Sequence, residues 1–212
     1  DENPSCAASI ISGAVQGETF AVTASSEATA NSPVGTYSIV PAVTGATLAN
    51  YDVTANNGTL TVTARPLTVS ANAGQAKVYG EADPVAYTYQ ITSGNLIDAA
   101  HLTGALSRAE GQDAGSYAIT QGTLATTENY ALTYIGADFT IAKRAVTVTA
   151  DAVSKVYGAA DPELTYKVTT GAVVNGDAFA GKLERTSGED VASYAVTLGT
   201  LSLGDNYSLS LT

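Results

Sequence analysis

The sequence is poor in the side chains on which most catalytic and metal sites depend. Its 212 residues include one cysteine, Cys6, one histidine, His101, and no methionine or tryptophan. A single cysteine cannot form an intrachain disulfide. We interpret Cys6 as an incidental residue of a loose N-terminal segment, with an intermolecular crosslink or lipidation as the alternatives. One cysteine and one histidine are also too few for the usual Cys/His nucleophilic arrangements and zinc sites.

Positive charge is also scarce. Lysine and arginine total 9 against 20 aspartates and glutamates, which gives a formal net charge of −11. Nucleic acids and anionic membranes bind through clustered Lys and Arg, so this balance opposes both as partners. The apolar runs are short and broken by Thr and Gly, which predicts no transmembrane helix. No signal peptide is visible. If the protein is secreted, we expect that signal to lie outside this sequence.

What the chain does contain is repetition. Residues 77–84 read Lys-Val-Tyr-Gly-Glu-Ala-Asp-Pro, and residues 155–162 read Lys-Val-Tyr-Gly-Ala-Ala-Asp-Pro, 78 positions later. Two further motifs recur, an Asn-Tyr pair and a Gly-x-Tyr stretch whose third copy reads Ala192-Ser193-Tyr194, and both are also found in the first part of the chain. A fixed period of this size is the mark of a tandem array.

The period predicts three repeats. We assign residues 1–65 to a first repeat that is N-terminally incomplete and residues 66–144 to a complete second repeat. Residues 145–212 form a third repeat that lacks its last strand. The recurring residues, which we predict to be structural, are Tyr37, Tyr51, Tyr79, Gly80, Pro84, Tyr117, Tyr130, Tyr157, Gly158, Pro162, Tyr194 and Tyr207.

Hydrophobic periodicity favours an all-β fold. Residues 59–64 alternate Thr with Leu60, Val62 and Ala64, a pattern typical of a half-buried strand. In the second repeat we predict strands at 66–71, 85–92, 102–107, 116–120, 130–135 and 138–143, and a loop with at most a short helical turn at 95–104. Turn-forming residues separate these segments. We expect small antiparallel modules, sandwich-like or β-grasp-like, with very short joints at Arg65-Pro66 and Arg144-Ala145, arranged as an elongated rod.

Tyrosine supplies most of the aromatic side chains of this chain. We interpret the recurring tyrosines as packing residues whose hydroxyl groups bond the backbone. The alternative is a glycan-stacking role for exposed tyrosines such as Tyr87 and Tyr89. His101 corresponds to Phe179 and Phe20 in the other repeats, which indicates an aromatic packing position and not a general base.

The acidic pairs are the remaining candidates for chemistry. Glu110 with Asp113, and Glu189 with Asp190, each lie on one turn, whereas a glycosidase needs two carboxyl groups facing each other across a cleft. We interpret them as solvated loops and predict no catalytic, cofactor-binding or metal-binding residues. Calcium is the alternative, because carboxylate and amide oxygens are the ligands it prefers. Asn175 and Asp177 would join the acidic pairs in such a site.

One further arrangement is equivalent in two repeats. Lys77 and Lys155 occupy matching positions, and so do Asn129 and Asn206. We interpret these residues as surface lysines and turn asparagines. An intramolecular amide crosslink between lysine and asparagine is the alternative.

The combined motifs resemble a known family. They are similar to the MBG-type repeat, in its Tyr-Gly form, of large bacterial surface proteins. The motifs that carry the resemblance are, in chain order, Lys-Val-Tyr-Gly-x-x-Asp-Pro, Gly-Ser-Tyr-Ala-Ile-Thr and Asn-Tyr-x-Leu-x-Tyr. The resemblance covers the second repeat fully, the third up to its last strand, and the second half of the first. It brings no catalytic residues to carry over.

The resemblance implies a non-catalytic extender module of a secreted or cell-surface bacterial adhesin, which would hold a distal binding domain away from the cell. A glycan-binding or host-protein-binding module is the alternative. The expected partners are neighbouring repeats, a second copy bound head to tail, or an extracellular glycan or protein.

Overall fold

The computed structural model describes residues 3–97 and 102–212. Within these ranges the regular structure consists of fifteen β-strands and one 3-10 turn, Leu48–Asn50, with no α-helix. The prediction of an all-β fold is confirmed. His101 lies outside the described residues, and so does the centre of the loop predicted to hold a helical turn. The described part of the chain has no helix capable of spanning a membrane.

The first repeat forms one antiparallel sheet. Its strands are β1 (Ala21–Ser26), β2 (Gly35–Thr44) and β3 (Gly58–Val62), in the order β1-β2-β3. Along β2, partly buried and exposed residues alternate from end to end. This is the pattern that the Thr/Val/Ile sequence predicts, because successive side chains of a strand point to opposite faces.

The middle repeat contains seven strands in two sheets. They are β4 (Arg65–Ala71), β5 (Gln75–Val78), β6 (Tyr89–Ser93), β7 (Ser107–Arg108), β8 (Gly115–Thr120), β9 (Tyr130–Ile135) and β10 (Ala137–Ala142). One sheet has the order β5-β10-β8-β7, and the other has the order β6-β4-β9. The side chains of Val69, Leu106, Ile119, Leu124 and Phe139 are among those buried.

The predicted strands of this repeat were found with three differences. Residues 85–92 were predicted as one strand, but only the end of that segment is in β6. Residues 102–107 form an isolated bridge at Thr103 and contribute one residue to β7. The strand β5 was not predicted from the sequence. It is four residues long and forms through its parallel pairing with β10.

The third repeat has five strands. They are β11 (Arg144–Ala150), β12 (Tyr166–Thr170), β13 (Glu184–Arg185), β14 (Val196–Thr197) and β15 (Tyr207–Leu211). The sheets have the orders β12-β11-β15 and β13-β14. Val148, Leu183 and Leu201 are buried together in its core.

The chain packs as two compact units. The first comprises Asp1–Thr68, Ser93–Thr103 and Ala125–Thr133, and the second comprises Val69–Thr92, Gly104–Leu124 and Tyr134–Thr212. Residues of the middle repeat therefore contribute to both units.

The linkers between repeats are very short, as the sequence predicts. β3 ends at Val62 and β4 begins at Arg65, while β10 ends at Ala142 and β11 begins at Arg144. At each joint, the arginine that begins the strand after the linker donates its backbone N–H to an asparagine carbonyl. The N···O distances are 2.9 Å for Arg65 to Asn129 and 2.9 Å for Arg144 to Asn206.

Candidate functional site

The aspartate of the middle Tyr-Gly motif holds two cations. Lys77 Nζ lies 2.6 Å from Asp83 Oδ1. Arg108, on β7, places its Nε 2.8 Å from Asp83 Oδ2 and its Nη2 3.0 Å from Oδ1. This is the two-pronged geometry in which guanidinium and carboxylate bind most strongly. The two cationic side chains are only 4% and 5% exposed, so the carboxylate neutralises charge that is nearly buried.

The third repeat builds the same cluster nearer to solvent. Lys155 Nζ lies 2.6 Å from Asp161 Oδ1, and Arg185 binds Asp161 through Nε at 2.8 Å and Nη2 at 3.1 Å. Here the side chains of Lys155 and Arg185 are 22% and 19% exposed. Glu189 also accepts from both cations, at 2.8 Å and 2.7 Å.

These ion pairs lower the pKa of the two aspartate carboxyl groups. Hydrogen bonding from Arg108 is the main reason that the pKa of Asp83 lies far below its usual range. Arg185, followed by Lys155, lowers the pKa of Asp161 to about 2. Because the folded state holds both carboxyl groups with a lowered pKa, their stabilisation is present above about pH 4 and is lost as the pH falls.

The tyrosine of each Gly-x-Tyr motif closes a loop onto the backbone four residues earlier. The hydroxyl of Tyr37 donates to Pro33 O at 2.8 Å, and that of Tyr117 donates to Asp113 O at 2.9 Å. Tyr194 donates to Asp190 O at 2.9 Å. The same hydrogen bond therefore recurs in all three repeats.

A glycine makes room for two of these rings. A Cβ added at Gly111 would lie 2.1 Å from Tyr117 Cε1, and one at Gly188 would lie 2.1 Å from Tyr194 Cε1. The guanidinium groups of Arg108 and Arg185 lie 5.1 Å and 5.0 Å from the centroids of the same two rings, within the range of cation–π attraction. The Gly-x-Tyr motif and the arginine of the ion cluster therefore form one structural unit.

The tyrosine of the Tyr-Gly motif contacts the next repeat, within the second compact unit. The hydroxyls of Tyr79 and Tyr207 both donate to Asp177 Oδ2, at 3.0 Å and 2.8 Å. The two rings meet edge to face at 5.4 Å. Arg144 Nε donates to Tyr79 O at 2.7 Å. Both tyrosines are nearly fully buried, and burial is the main cause that raises the pKa of Tyr207.

The asparagine of the Asn-Tyr pair provides a second link between repeats. Asn206 Oδ1 accepts the backbone N–H of Ala114 at 2.7 Å. In the first unit, Asn129 Oδ1 accepts the backbone N–H of Val34 at 2.8 Å. Val34 and Ala114 occupy the same position, one residue before the Gly-x-Tyr tripeptide. At both joints, therefore, an equivalent asparagine side chain binds the backbone at the start of a strand in the preceding repeat. We call this arrangement the asparagine latch.

The sequence family explains this periodicity. A family model for the MBG domain (YGX type) matches residues 1–61, 67–140 and 146–212. The chain belongs to the MBG domain family of the YGX type. No curated protein and no solved structure matches the chain. The resemblance noted from the motifs is confirmed, and a tandem of MBG domains suggests a repeat module of a surface protein.

The tyrosine of the Asn-Tyr pair has one common role in the three MBG repeats. Its hydroxyl accepts a backbone N–H from a nearby loop of the same compact unit. The donors are Val15 to Tyr51 at 3.2 Å, Ile97 to Tyr130 at 2.9 Å and Val174 to Tyr207 at 3.0 Å.

Other predicted positions of the MBG repeats differ in exposure. Tyr87 and Tyr89 were expected to be exposed, and this is wrong, because both are half-buried. Tyr87 donates to Asp83 Oδ2 at 2.9 Å and packs edge-on against Phe139. Tyr157 is instead 72% exposed. Pro84, Gly158 and Pro162 lie in exposed turns or loops.

The lysines and asparagines considered for a crosslink have other partners. Lys77 is buried, so its interpretation as a surface lysine is wrong. Its Nζ binds Asp83 and Gln112, whereas Lys155 binds Asp161 and Glu189. The side chains of both asparagines serve the latch.

Three of the acidic residues considered for calcium also have other partners. Asp177 accepts from the two buried tyrosines, Glu189 pairs with two cations, and Asp113 accepts from Asn206 Nδ2 at 2.9 Å. Over residues 3–97 and 102–212, no group of three or more metal-binding side chains is found.

Sequence reasoning missed the arginine of the ion cluster. Arg108 and Arg185 are 77 positions apart, so the repeat period already marks them as equivalent. The motif's aspartate was read as a turn former, and its pairing with a distant strand is a long-range contact that local patterns do not reveal.

Proposed function

We propose that this chain is a non-catalytic extender segment of a bacterial extracellular adhesin. Its MBG repeats would act as spacers that hold a distal binding domain away from the cell. The observation that carries the proposal is the asparagine latch, which uses equivalent residues at both joints. A segment whose recurring side chains serve packing and joining, and which has very short linkers, suits a mechanical role.

The charge of the chain supports the same role. Twenty acidic residues against nine basic residues give a strongly acidic segment. Such charge keeps neighbouring arrays apart and opposes adsorption to an anionic envelope. Three of the acidic side chains considered for catalysis or calcium binding, those of Asp113, Asp177 and Glu189, are engaged in ion pairs and hydrogen bonds. We therefore propose no enzymatic activity, and a location outside the cell or at its surface.

Small-angle X-ray scattering on the 212-residue chain tests the spacer role. A compact globular protein of this length has a radius of gyration of about 17 Å. For a spacer we expect a clearly larger value and a long tail in the pair-distance distribution. A matched variant, Asn129→Ala with Asn206→Ala, should broaden that distribution because both latches are lost. A wild-type radius near 17 Å would contradict the spacer role.

The exposure of Tyr157 favours one alternative function. A solvent-facing aromatic ring is a feature of glycan-binding and protein-binding surfaces, and Tyr157 is the exposed tyrosine of this chain. Glycan-array screening of the wild type and of Tyr157→Ala discriminates the two functions. The spacer proposal expects no specific binding by either protein. Specific binding that disappears in Tyr157→Ala would establish a binding module instead.

A further inference from the structure

Two strand pairs of the second compact unit are parallel. β5 pairs with β10 over four residues, and β11 pairs with β15 over five. In each pair the two strands lie more than 60 positions apart in the chain. Each pair therefore joins an early segment of a repeat to a late one.

The direction of these pairs decides how a pull on the chain reaches them. In the third repeat the chain enters β11 at its N-terminal end and leaves β15 at its C-terminal end. Because the two strands point the same way, a pull along the chain draws them past each other in opposite directions. The hydrogen bonds of a parallel pair are evenly spaced along both strands, so all of them share this load. The pair is thus loaded in shear.

The middle repeat is loaded in the same way. β4 leads through residues 72–74 into β5, whereas the chain leaves the repeat at the C-terminal end of β10. A pull along the chain therefore draws β5 and β10 past each other. Phe139 and Ile141 of β10 and Val146 and Val148 of β11 are at most 2% exposed. Sliding in either repeat must therefore also pull core side chains out of close packing.

Hydrogen bonds close the joint between these two strand pairs. Lys143 is the one residue between β10 and β11. On one side of it, Tyr79 N–H donates to Ala142 O at 2.9 Å, and Arg144 Nε donates to Tyr79 O at 2.7 Å. On the other side, Arg144 N–H donates to Asn206 O at 2.9 Å. The residue after β5 and the residue before β15 are therefore both bound to the chain where it crosses the joint.

A carboxylate links the same two strand ends to each other. Tyr79 follows β5 and Tyr207 begins β15, and both hydroxyls donate to Asp177 Oδ2. The contact is close, because a Cβ added at Gly80 would lie 2.4 Å from Val174 Cγ2. Either strand pair could open from the joint only after these links had broken. The joint therefore opposes peeling and leaves shear as the way in which the pairs are loaded.

We propose that the chain bears tension, with the β5–β10 and β11–β15 pairs as its load-bearing contacts. This function rests on the spacer role, because a segment that holds a distal binding domain is pulled along its length when that domain is bound. It also goes beyond spacing, since an extended segment can separate two domains without resisting force. Forced unfolding is governed by the unfolding rate and not by equilibrium stability. The direction of loading therefore decides the resistance.

Single-molecule force spectroscopy with two attachment geometries tests the proposal. Both proteins are the full chain with Cys6→Ser and a handle after Thr212, and each has one new cysteine at an exposed position for the second handle. Lys143→Cys loads β11 and β15 in shear, whereas Ala152→Cys pulls both strands from their C-terminal ends and peels them apart.

We expect the third repeat to unfold at a force about twofold or more higher in the shear geometry, because the paired residues share the load there and break in turn in the other. A gain in length of up to about 250 Å in the shear geometry marks unfolding of the whole repeat. Equal forces in the two geometries would overturn the proposal.

Two matched variants test whether the β11–β15 pair is the contact that bears the load. Ser210→Ala removes the hydroxyl contact of Ser210 with Thr147, at 2.9 Å, which joins β15 to β11. Thr169→Val removes the contact of Thr169 with Thr149, at 3.2 Å, which joins β12 to β11. At constant force in the shear geometry, we expect Ser210→Ala to unfold about twofold or more faster than its parent, and Thr169→Val to match its parent. Equal acceleration in both variants would overturn the proposal.

These outcomes are distinct from the failure of the spacer role. Equal forces in the two geometries remove the tension-bearing function even if scattering shows an extended chain, and the spacer role then stands alone. A radius of gyration near the compact value of about 17 Å removes the spacer role, and the tension-bearing function that rests on it, whatever the forces are.

Discussion

At the residue scale, Asp83 and Asp161 occupy equivalent positions and form equivalent ion clusters. The two clusters differ in how far their cationic side chains are shielded from solvent. Each carboxylate binds a lysine and an arginine, but the cations around Asp83 are far more buried. The cost of removing the carboxylate depends on how much charge it leaves unpaired away from water. The two positions therefore provide a matched pair for measuring that cost inside one chain.

We expect Asp83→Asn to destabilise the protein by about 2–3 kcal/mol. This is below the 3–5 kcal/mol typical of a fully buried pair, because a third of the Asp83 side chain is exposed. Asp161→Asn should cost clearly less, since Glu189 still pairs with both cations. Urea unfolding of the two variants measures the difference. Equal losses would show that burial of the cations does not control the cost.

The lowered carboxyl pKa values predict acid sensitivity. Their stabilisation is complete above about pH 4 and is lost as the pH falls, with the Asp161 part lost between about pH 4 and pH 2. Thermal melts from pH 2 to pH 7 should show a falling Tm below pH 4, and the slope should be shallower in Asp83→Asn. Carboxyl NMR titration checks the pKa values directly, and an Asp161 pKa near 4 would contradict this account.

At the element scale, one half of the repeated Lys-Val-Tyr-Gly motif adopts two structures. Lys77 and Val78 end β5 in the middle repeat, whereas Lys155 and Val156 have no strand structure in the third. Sequence patterns predicted β4, β8, β9 and β10 because alternation and β-branched residues are local signals. They did not predict β5, because its structure depends on a parallel partner more than 60 residues away.

The glycine beneath the Gly-x-Tyr ring gives a prediction at this scale. Gly111→Ala should destabilise the protein by about 2–4 kcal/mol, because its Cβ overlaps the Tyr117 ring and its φ of +143° disfavours a side chain. Gly74→Ala is the control, since Gly74 also has a positive φ but nothing lies within 4 Å. Thermal unfolding measures both. A similar cost for the two variants would show that backbone strain alone matters.

The asparagine latch gives a second prediction for the elements at a joint. Asn206→Ala removes the acceptor of the Ala114 N–H and the donor to Asp113, so we expect a loss of about 1–2 kcal/mol. Asn50→Ala is the matched control in the first repeat, where the side chain is exposed, and should change stability by less than about 0.5 kcal/mol. Urea unfolding and hydrogen exchange of the Ala114 amide report the effect. Unchanged protection of that amide in Asn206→Ala would count against the latch.

At the scale of the whole molecule, the sequence was sufficient for the fold class and the family. The period of the motifs and the strand alternation predicted an all-β tandem, and the family match agrees. The partners of individual residues were harder to predict. Asp83 with Arg108 and Asn206 with Ala114 join positions far apart in the chain, and no local pattern encodes which of them will meet.

The covalent state of the chain gives a prediction for the molecule as a whole. Because both lysines and both asparagines considered for a crosslink have other partners, we expect an intact mass equal to that of the unmodified 21.4 kDa chain. Mass spectrometry under denaturing conditions measures this. A mass lower by one ammonia per repeat would show that the amide crosslink forms after all.

The asparagine latch has a consequence for how such arrays diversify. The group that each asparagine binds is a main-chain N–H, on Val34 at one joint and on Ala114 at the other. Any residue except proline supplies such an N–H, so recognition of this kind does not depend on the other side chains that could stand at the receiving position. Modules could therefore be duplicated, shuffled or allowed to drift at that residue, and adjacent copies would still lock together without compensating substitutions.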